Sequence, residues 1–147
     1  EEYAGNHPAG AIGRALTLKV SDVMRKAGDF AKVLPEATVL ESLMAMTKAK
    51  SGCAIVADEG GTLKGVFTDG DFRRLVSSAG GDAPSVLSAP VSKYMTASPM
   101  SIGESAYAAE IVKVFEERRI DDLPVVDAEG RAIGLVDIQD LPKMKVL

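Results

Sequence analysis

The sequence predicts an α/β fold made of two pseudo-symmetric β-α-β-β-α modules packed through their sheets. Three observations carry this expectation. Landmarks recur in the same order at nearly constant separation: Val20-Ser21-Asp22-Val23-Met24 returns as Val91-Ser92-Lys93-Tyr94-Met95, and Ile55-Val56-Ala57-Asp58 returns as Pro124-Val125-Val126-Asp127. The run Gly65-Val66-Phe67-Thr68-Asp69-Gly70-Asp71 returns, at the separation of the second landmark, as Gly134-Leu135-Val136-Asp137-Ile138-Gln139-Asp140. Within each copy, apolar residues at helical spacing give way to two short apolar runs joined by a glycine-bearing turn. A unit of roughly 60 residues buries little by itself, but 147 residues can bury one good core or two small ones fused together.

The elements follow in order. Val20 to Met24 is a short apolar piece, and Lys32-Val33-Leu34-Pro35 an extended segment ended by proline. Val39, Leu40, Leu43, Met44 and Met46 mark a helix over 37–50, with Lys48 and Lys50 where the helix dipole favours cations. Thr38 suits its N-cap, with Glu41 completing a capping box. Cys53–Ala57 and Leu63–Thr68 form a hairpin, and a second helix runs from near Gly70 to about Ser77. In the second copy, Ser105 is expected to cap a helix over Ala106–Arg118 that ends in Arg118 and Arg119. Leu123–Val126 and Ala132–Val136 make the matching hairpin. A final helix starts near Ile138 and is cut at Pro142. The turn-rich Ala79–Pro84 connects the copies, so the expected divisions are 1–16 as linker, 17–80 and 87–147 as the two modules.

Composition narrows the function classes. Hydrophobic residues make up 46% and charged residues 26%, ordinary for a soluble domain, and the net charge of −4 argues against wholesale nucleic-acid or anionic-membrane binding. The single cysteine, Cys53, lies in an apolar run and reads as a buried structural thiol in a reducing compartment. No apolar stretch is long enough to span a bilayer and no signal peptide is visible. The chain begins at Glu1, so it is read as a segment of a longer protein.

The repeated polar cluster carries the chemistry. A ribose diol suits a carboxylate acceptor, and a phosphate suits hydroxyls, helix N-terminal amides and guanidiniums. Thr68 at a strand end, with Asp71 one turn on, supplies a hydroxyl and a carboxylate facing one cavity; equally, the two can cap the helix. Arg73 and Arg74 point about 100° apart on that helix, so one can face a ligand while the other is solvated. Arg118 and Arg119 compete as anion ligands, though the helix end explains them as well. In the second copy Asp137 stands where Thr68 does, so a phosphate is repelled there unless a cation intervenes. Asp140 still offers a ribose acceptor, so the sites are unequal. Asp69-Gly70-Asp71 lacks the remaining ligands of a calcium loop. His7 is the sole histidine, which leaves a histidine metal cluster or a Ser-His-Asp triad unsupported.

These motifs resemble the CBS domain, and two in tandem resemble a CBS pair over about residues 17–147. Phe67-Thr68-Asp69-Gly70-Asp71-Phe72-Arg73-Arg74 is similar to the first CBS domain of D-arabinose 5-phosphate isomerases. His7-Pro8-Ala9-Gly10-Ala11-Ile12-Gly13-Arg14 resembles the segment joining that family's sugar isomerase (SIS) domain to its CBS pair, with Ala9 for a glycine. The resemblance implies a bacterial cytoplasmic parent that interconverts ribulose 5-phosphate and arabinose 5-phosphate for synthesis of Kdo, a lipopolysaccharide sugar acid. No catalytic residue is expected here: His7 matches a family histidine but lacks its sugar pocket.

The resemblance also implies phosphate contact at Thr68 and ribose contact at Asp71, and base recognition by Ser51-Gly52-Cys53-Ala54 and by Asp121-Asp122-Leu123-Pro124. Gly52 serves equally for a turn. Thr38, Arg73, Arg74, Asp137 and Asp140 complete the candidate ligand set. AMP and ATP are the general ligands, and pathway logic favours CMP-Kdo, which carries a diol, a phosphate and an acid. No cofactor is required. The expected partners are the parent's own SIS domain and a second copy of the chain. The rival reading is an assembly module without ligand, dimerising through apolar helix positions such as Val76, Leu87, Val112 and Phe115.

Overall fold

The computed structural model describes residues 17–144; the His7–Arg14 segment, and with it the expectations for His7, lies outside the described residues. After a short helix α1 (Val20–Val23) come β1 (Ala31–Val33), α2 (Val39–Ala49), β2 (Cys53–Ala57), β3 (Leu63–Thr68) and α3 (Asp69–Ala79). A short helix α4 (Ala83–Leu87) leads to β4 (Thr96–Ala97), β5 (Ile102–Gly103), α5 (Ala109–Arg118), β6 (Asp122–Val126), β7 (Ala132–Asp137) and α6 (Leu141–Met144). One sheet has the order β1-β2-β3-β4, the other β5-β6-β7. In each, a parallel pair (β1 with β2, β5 with β6) is joined to an antiparallel hairpin (β2 with β3, β6 with β7). This is the predicted α/β architecture.

Reciprocal hydrogen bonds show the pseudo-twofold relation. Leu63 N donates to Gly130 O at 3.1 Å and Ala132 N donates to Gly61 O at 2.8 Å, so the hairpin turns meet tip to tip. The chain also exchanges segments. β4, which follows the second copy's Val91–Met95 landmark, pairs with β3 of the first sheet through Gly65–Ala97 and Val66–Thr96. Arg25 pairs in the same way with Leu135 of β7.

This exchange accounts for the recurring glycine. A Cβ on Gly65 would stand 2.6 Å from Met95 Sδ and 2.7 Å from Thr96 O; one on Gly134 would strike Met24 Sδ and come within 2.9 Å of Arg25 O. A β-strand alternates its side chains between two faces, and β2 is buried on both. Ala54 and Val56 join α2, α3 and α4 in the first core, through Val39, Met46, Leu75 and Val86. Cys53, Ile55 and Ala57 pack instead with Val66, Ala132 and Leu135, joining the two sheets. Each fully buried Val or Ile contributes about 1.5–3 kcal/mol. The second copy builds its own core from Ile111, Phe115, Leu123, Val125 and Val136.

Thr38 caps α2 as expected: its hydroxyl accepts from Glu41 N at 3.0 Å, and Thr38 N donates to Glu41 at 2.8 Å. Several boundaries differ from expectation. Ser105 does not cap α5, whose N-cap is Ala108. The preceding turn is engaged by the α1 segment instead: Val20 N donates to Ala106 O at 2.8 Å and Ala108 N to Leu18 O at 2.7 Å. Pro142 does not end a helix. Residues Ile138–Asp140 form a tight helical turn, and Pro142 sits in the first turn of α6, where its missing N–H has no intrahelical partner to lose. The connection at 79–84 is likewise helical, α3 running on to Ala79 and Pro84 lying in the first turn of α4. Phe115 is buried, so it is core and not an assembly surface; Val112 and Leu87 are half-buried, and Val76 alone of the four is exposed. Among the described residues no helix is long and apolar enough to cross a membrane.

Candidate functional site

A cavity of about 700 Å³ lies between the two copies, within the usual range for small-molecule sites. Its first wall is the β3–α3 junction: Thr68, Asp69, Gly70, Asp71, Arg73 and Arg74. The opposite wall comes from the second copy: Arg119, Ile120, Asp121, Asp122, Asp137 and Gln139. Thr96, Pro99 and Met100, from the segment crossing between copies, close one side.

Thr68 and Asp71 do cap α3, and they also face the cavity. Asp71 N donates to Thr68 Oγ1 at 3.2 Å, and Asp71 Oδ2 accepts from Thr68 N at 3.0 Å and from Thr68 Oγ1 at 3.1 Å. Asp71 Oδ1 accepts from Arg74 Nη2 at 2.6 Å and from the Thr96 hydroxyl at 3.2 Å. The Arg74 side chain is 73% exposed, against 8% for Asp71, so the arginine can leave its partner at small cost while the carboxylate stays fixed. Gly52 meets this junction from β2. Its carbonyl accepts from Asp69 N at 3.0 Å, and a Cβ there would come within 2.9 Å of Asp69 Oδ2. The close approach is to the end of the exposed Asp69 side chain alone, so a larger residue at 52 would push that carboxylate within the cavity wall.

The second half-site is built differently. Asp137 Oδ1 accepts from Gln139 N at 3.0 Å, and its Oδ2 from Gln139 Nε2 at 2.9 Å and Ser51 Oγ at 3.3 Å. Asp140 is held by Arg25, whose Nε donates at 2.6 Å and Nη2 at 3.1 Å, and it is not part of the cavity wall. No motif in the sequence singles out Arg25. The signal for it lay one residue beyond the repeated landmark: the match that equates Met24 with Met95 equates Arg25 with Thr96.

The cavity carries five carboxylates (Asp69, Asp71, Asp121, Asp122, Asp137) against three guanidiniums (Arg73, Arg74, Arg119), so an anionic group is favoured only at the Thr68–Arg74 end. Burial pushes the Asp122 carboxyl up to about 7, helped by the negative charges of Asp137, Asp121 and Asp69 and opposed by Arg25. Met100 and Ile138 are 39% and 40% exposed, an apolar surface inside a polar cleft.

Of the sequence-derived candidates, Gly52, Thr68, Asp71, Arg73, Arg74, Arg119, Asp121, Asp122 and Asp137 converge on the cavity. Thr38 does not; its hydroxyl is spent on α2. The side chains of Cys53, Ala54, Leu123 and Pro124 are buried in the core, which leaves only their main chain for recognition. Ser51 touches the site only through Asp137 and through Cys53 N, which donates to its hydroxyl at 3.3 Å. Burial raises the Cys53 thiol well above its ordinary pKa, in keeping with a structural role.

The CBS domain model matches residues 20–78 and 91–143. The chain belongs to the CBS domain family. This CBS pair is 38% identical over 147 residues to arabinose 5-phosphate isomerase KdsD of Pseudomonas aeruginosa, covering 100% of the chain and 44% of that relative. It is 34% identical over 140 residues to arabinose 5-phosphate isomerase GutQ of Escherichia coli K12, covering 95% of the chain and 42% of the relative. The chain therefore spans less than half the length of these relatives. Among solved structures, CBSX2 in complex with AMP superposes with a TM-score of 0.74 at 26% identity, covering 86% of this chain and 95% of that one. A putative acetoin utilization protein (AcuB) from Vibrio cholerae has a TM-score of 0.77 at 20% identity over 89% of this chain and 92% of its own, a likeness of fold.

Proposed function

We propose that this CBS pair is the regulatory nucleotide-binding part of an arabinose 5-phosphate isomerase and takes one nucleoside monophosphate in the cleft between its copies. The observation that carries the reading is the convergence of Thr68, Asp71, Thr96 and Arg74 on one 700 Å³ cavity. The phosphate lies at the N-terminus of α3, near the Thr68 hydroxyl. Arg74 turns from Asp71 to the phosphate, and Asp71 Oδ1, so released, accepts from the ribose diol. The base covers Met100 and Ile138, and the carboxylates of the second copy accept from an exocyclic amine. Binding shifts the attached catalytic domain only through a difference in affinity for its states.

AMP is the ligand of choice because CBSX2, similar in fold over nearly its whole length, carries AMP. The pathway argument for CMP-Kdo has no counterpart in any of these comparisons. Titration calorimetry with AMP, ATP and CMP-Kdo is the test. AMP is expected to bind one per chain, and Asp71→Asn to weaken it at least about tenfold, the loss of one charge-assisted hydrogen bond. Tighter binding of CMP-Kdo replaces the ligand but keeps the site. Absence of binding by all three, with a dimer in solution, overturns the reading in favour of an assembly module.

A further inference from the structure

We infer that Arg25 is a built-in counter-ion that closes the second half-site and restricts this CBS pair to one nucleotide. The inference rests on the nucleotide reading above and adds which half-site is used and why. The two half-sites are related residue by residue. The separation that carries Gly65 to Gly134 also carries Thr68 to Asp137 and Asp71 to Asp140, and the one that carries Met24 to Met95 carries Arg25 to Thr96. The backbone bond that ties each hairpin to its junction repeats: Asp69 N donates to Gly52 O at 3.0 Å, and Ile138 N donates to Asp121 O at 2.8 Å. The side chains do not repeat.

In the first half-site a short hydroxyl, Thr96 Oγ1, stands 3.2 Å from Asp71 Oδ1. In the second, a guanidinium fills that place. Arg25 grips Asp140 through two hydrogen bonds of 2.6 and 3.1 Å and lies 3.8 Å from Asp137 Oδ2. Its Nη1 donates to Ala49 O at 3.0 Å and also reaches Lys50 O, 3.4 Å away, at the C-terminal end of α2. Such a fork is rigid and bidentate, and its side chain is only 16% exposed, with Asp140 at 13% and Asp137 at 7%. Both oxygens of Asp140 are held by this sequestered fork, whereas Arg74, which holds Asp71 Oδ1, is exposed and can turn away to free it. Asp137 takes the position of the phosphate-binding hydroxyl and repels a phosphate. Arg25 thus offsets one of the two negative charges from within the chain, and a nucleotide would have to displace a largely buried ion pair in order to enter.

The experiment counts sites. Titration calorimetry and equilibrium dialysis with AMP are run on the wild-type chain and on R25T/D137T, which copies the Thr96, Thr68 and Asp71 arrangement into the second half-site. The wild type is expected to bind one AMP and the double variant two. Adding D71N to the double variant should weaken one of the two sites at least about tenfold and leave the other, the second half-site, unchanged. R25S/D137S asks the same question should the threonine pair not fold by circular dichroism. Two AMP per wild-type chain, or one AMP on a folded double variant, overturns the role of Arg25 while the nucleotide reading stands. No binding of AMP, ATP or CMP-Kdo by the wild type overturns the nucleotide reading itself, and the role of Arg25 falls with it.

Discussion

Replacing Asp122 by Asn should change how the stability of this CBS pair depends on pH. Burial raises the Asp122 carboxyl in the folded chain from 3.8 to about 7, with Asp137, Asp121 and Asp69 adding to the shift. Between these values the folded state holds a proton that the unfolded state has released. Stability from this group is therefore fully present below about pH 4 and is lost as pH rises through 7. At about 1.4 kcal/mol per pH unit, the interval sets a ceiling of about 4 kcal/mol on the loss. Asparagine keeps the shape and carries no charge at any pH. The variant should match the wild type near pH 4.5 and gain on it progressively, levelling above pH 8, by an amount below that ceiling. Urea unfolding followed by circular dichroism across pH 4.5–8.5 measures the difference, and other groups cancel to first order because both proteins carry them. Parallel profiles, or a wild type that gains on the variant with rising pH, would refute the reasoning.

Two further outcomes follow from the packing. Gly65→Ala drives a Cβ to within 2.6 Å of Met95 Sδ and 2.7 Å of the Thr96 carbonyl, so it should cost about 1–3 kcal/mol in urea unfolding. It should also weaken AMP binding, because Thr96 moves with β4; unchanged stability would show that the crossing segment yields freely. The Cys53 thiol, wholly buried and raised in pKa, should resist a disulfide reagent such as DTNB in the folded chain and react once in denaturant. Prompt reaction of the native protein would show that the β2 strand opens.

Much of the first half-site is legible in the sequence because its logic is local. Thr68 and Asp71 are close neighbours in the chain, and one helix turn brings both to the same end of α3. The hairpins are legible for the same reason: their apolar runs and glycine turns are contiguous. What escapes a linear reading is set by contacts distant in sequence. Ser105 has the right identity for an N-cap, but the α1 segment, from the far end of the chain, takes the backbone of that turn. Phe115 falls at a helix position that looks available for assembly until α5 is laid on β6 and β7. The turn at 79–84 has the composition of a loop, yet it continues α3 and starts α4.

The order of residues alone dictates the repeat, the α/β class, the caps of α2 and α3, and a hydroxyl–carboxylate pair suited to a nucleotide, because each depends on residues within about one helix turn or one hairpin of each other. It also makes the two half-sites unequal, through Asp137. How that inequality is resolved depends on the folded chain. The opening segment of each module crosses to the other module's sheet, so Thr96 reaches Asp71 and Arg25 reaches Asp140, 115 residues away. A buried carboxylate pair needs a cation within a few ångströms, and no linear spacing reveals which arginine the fold will deliver.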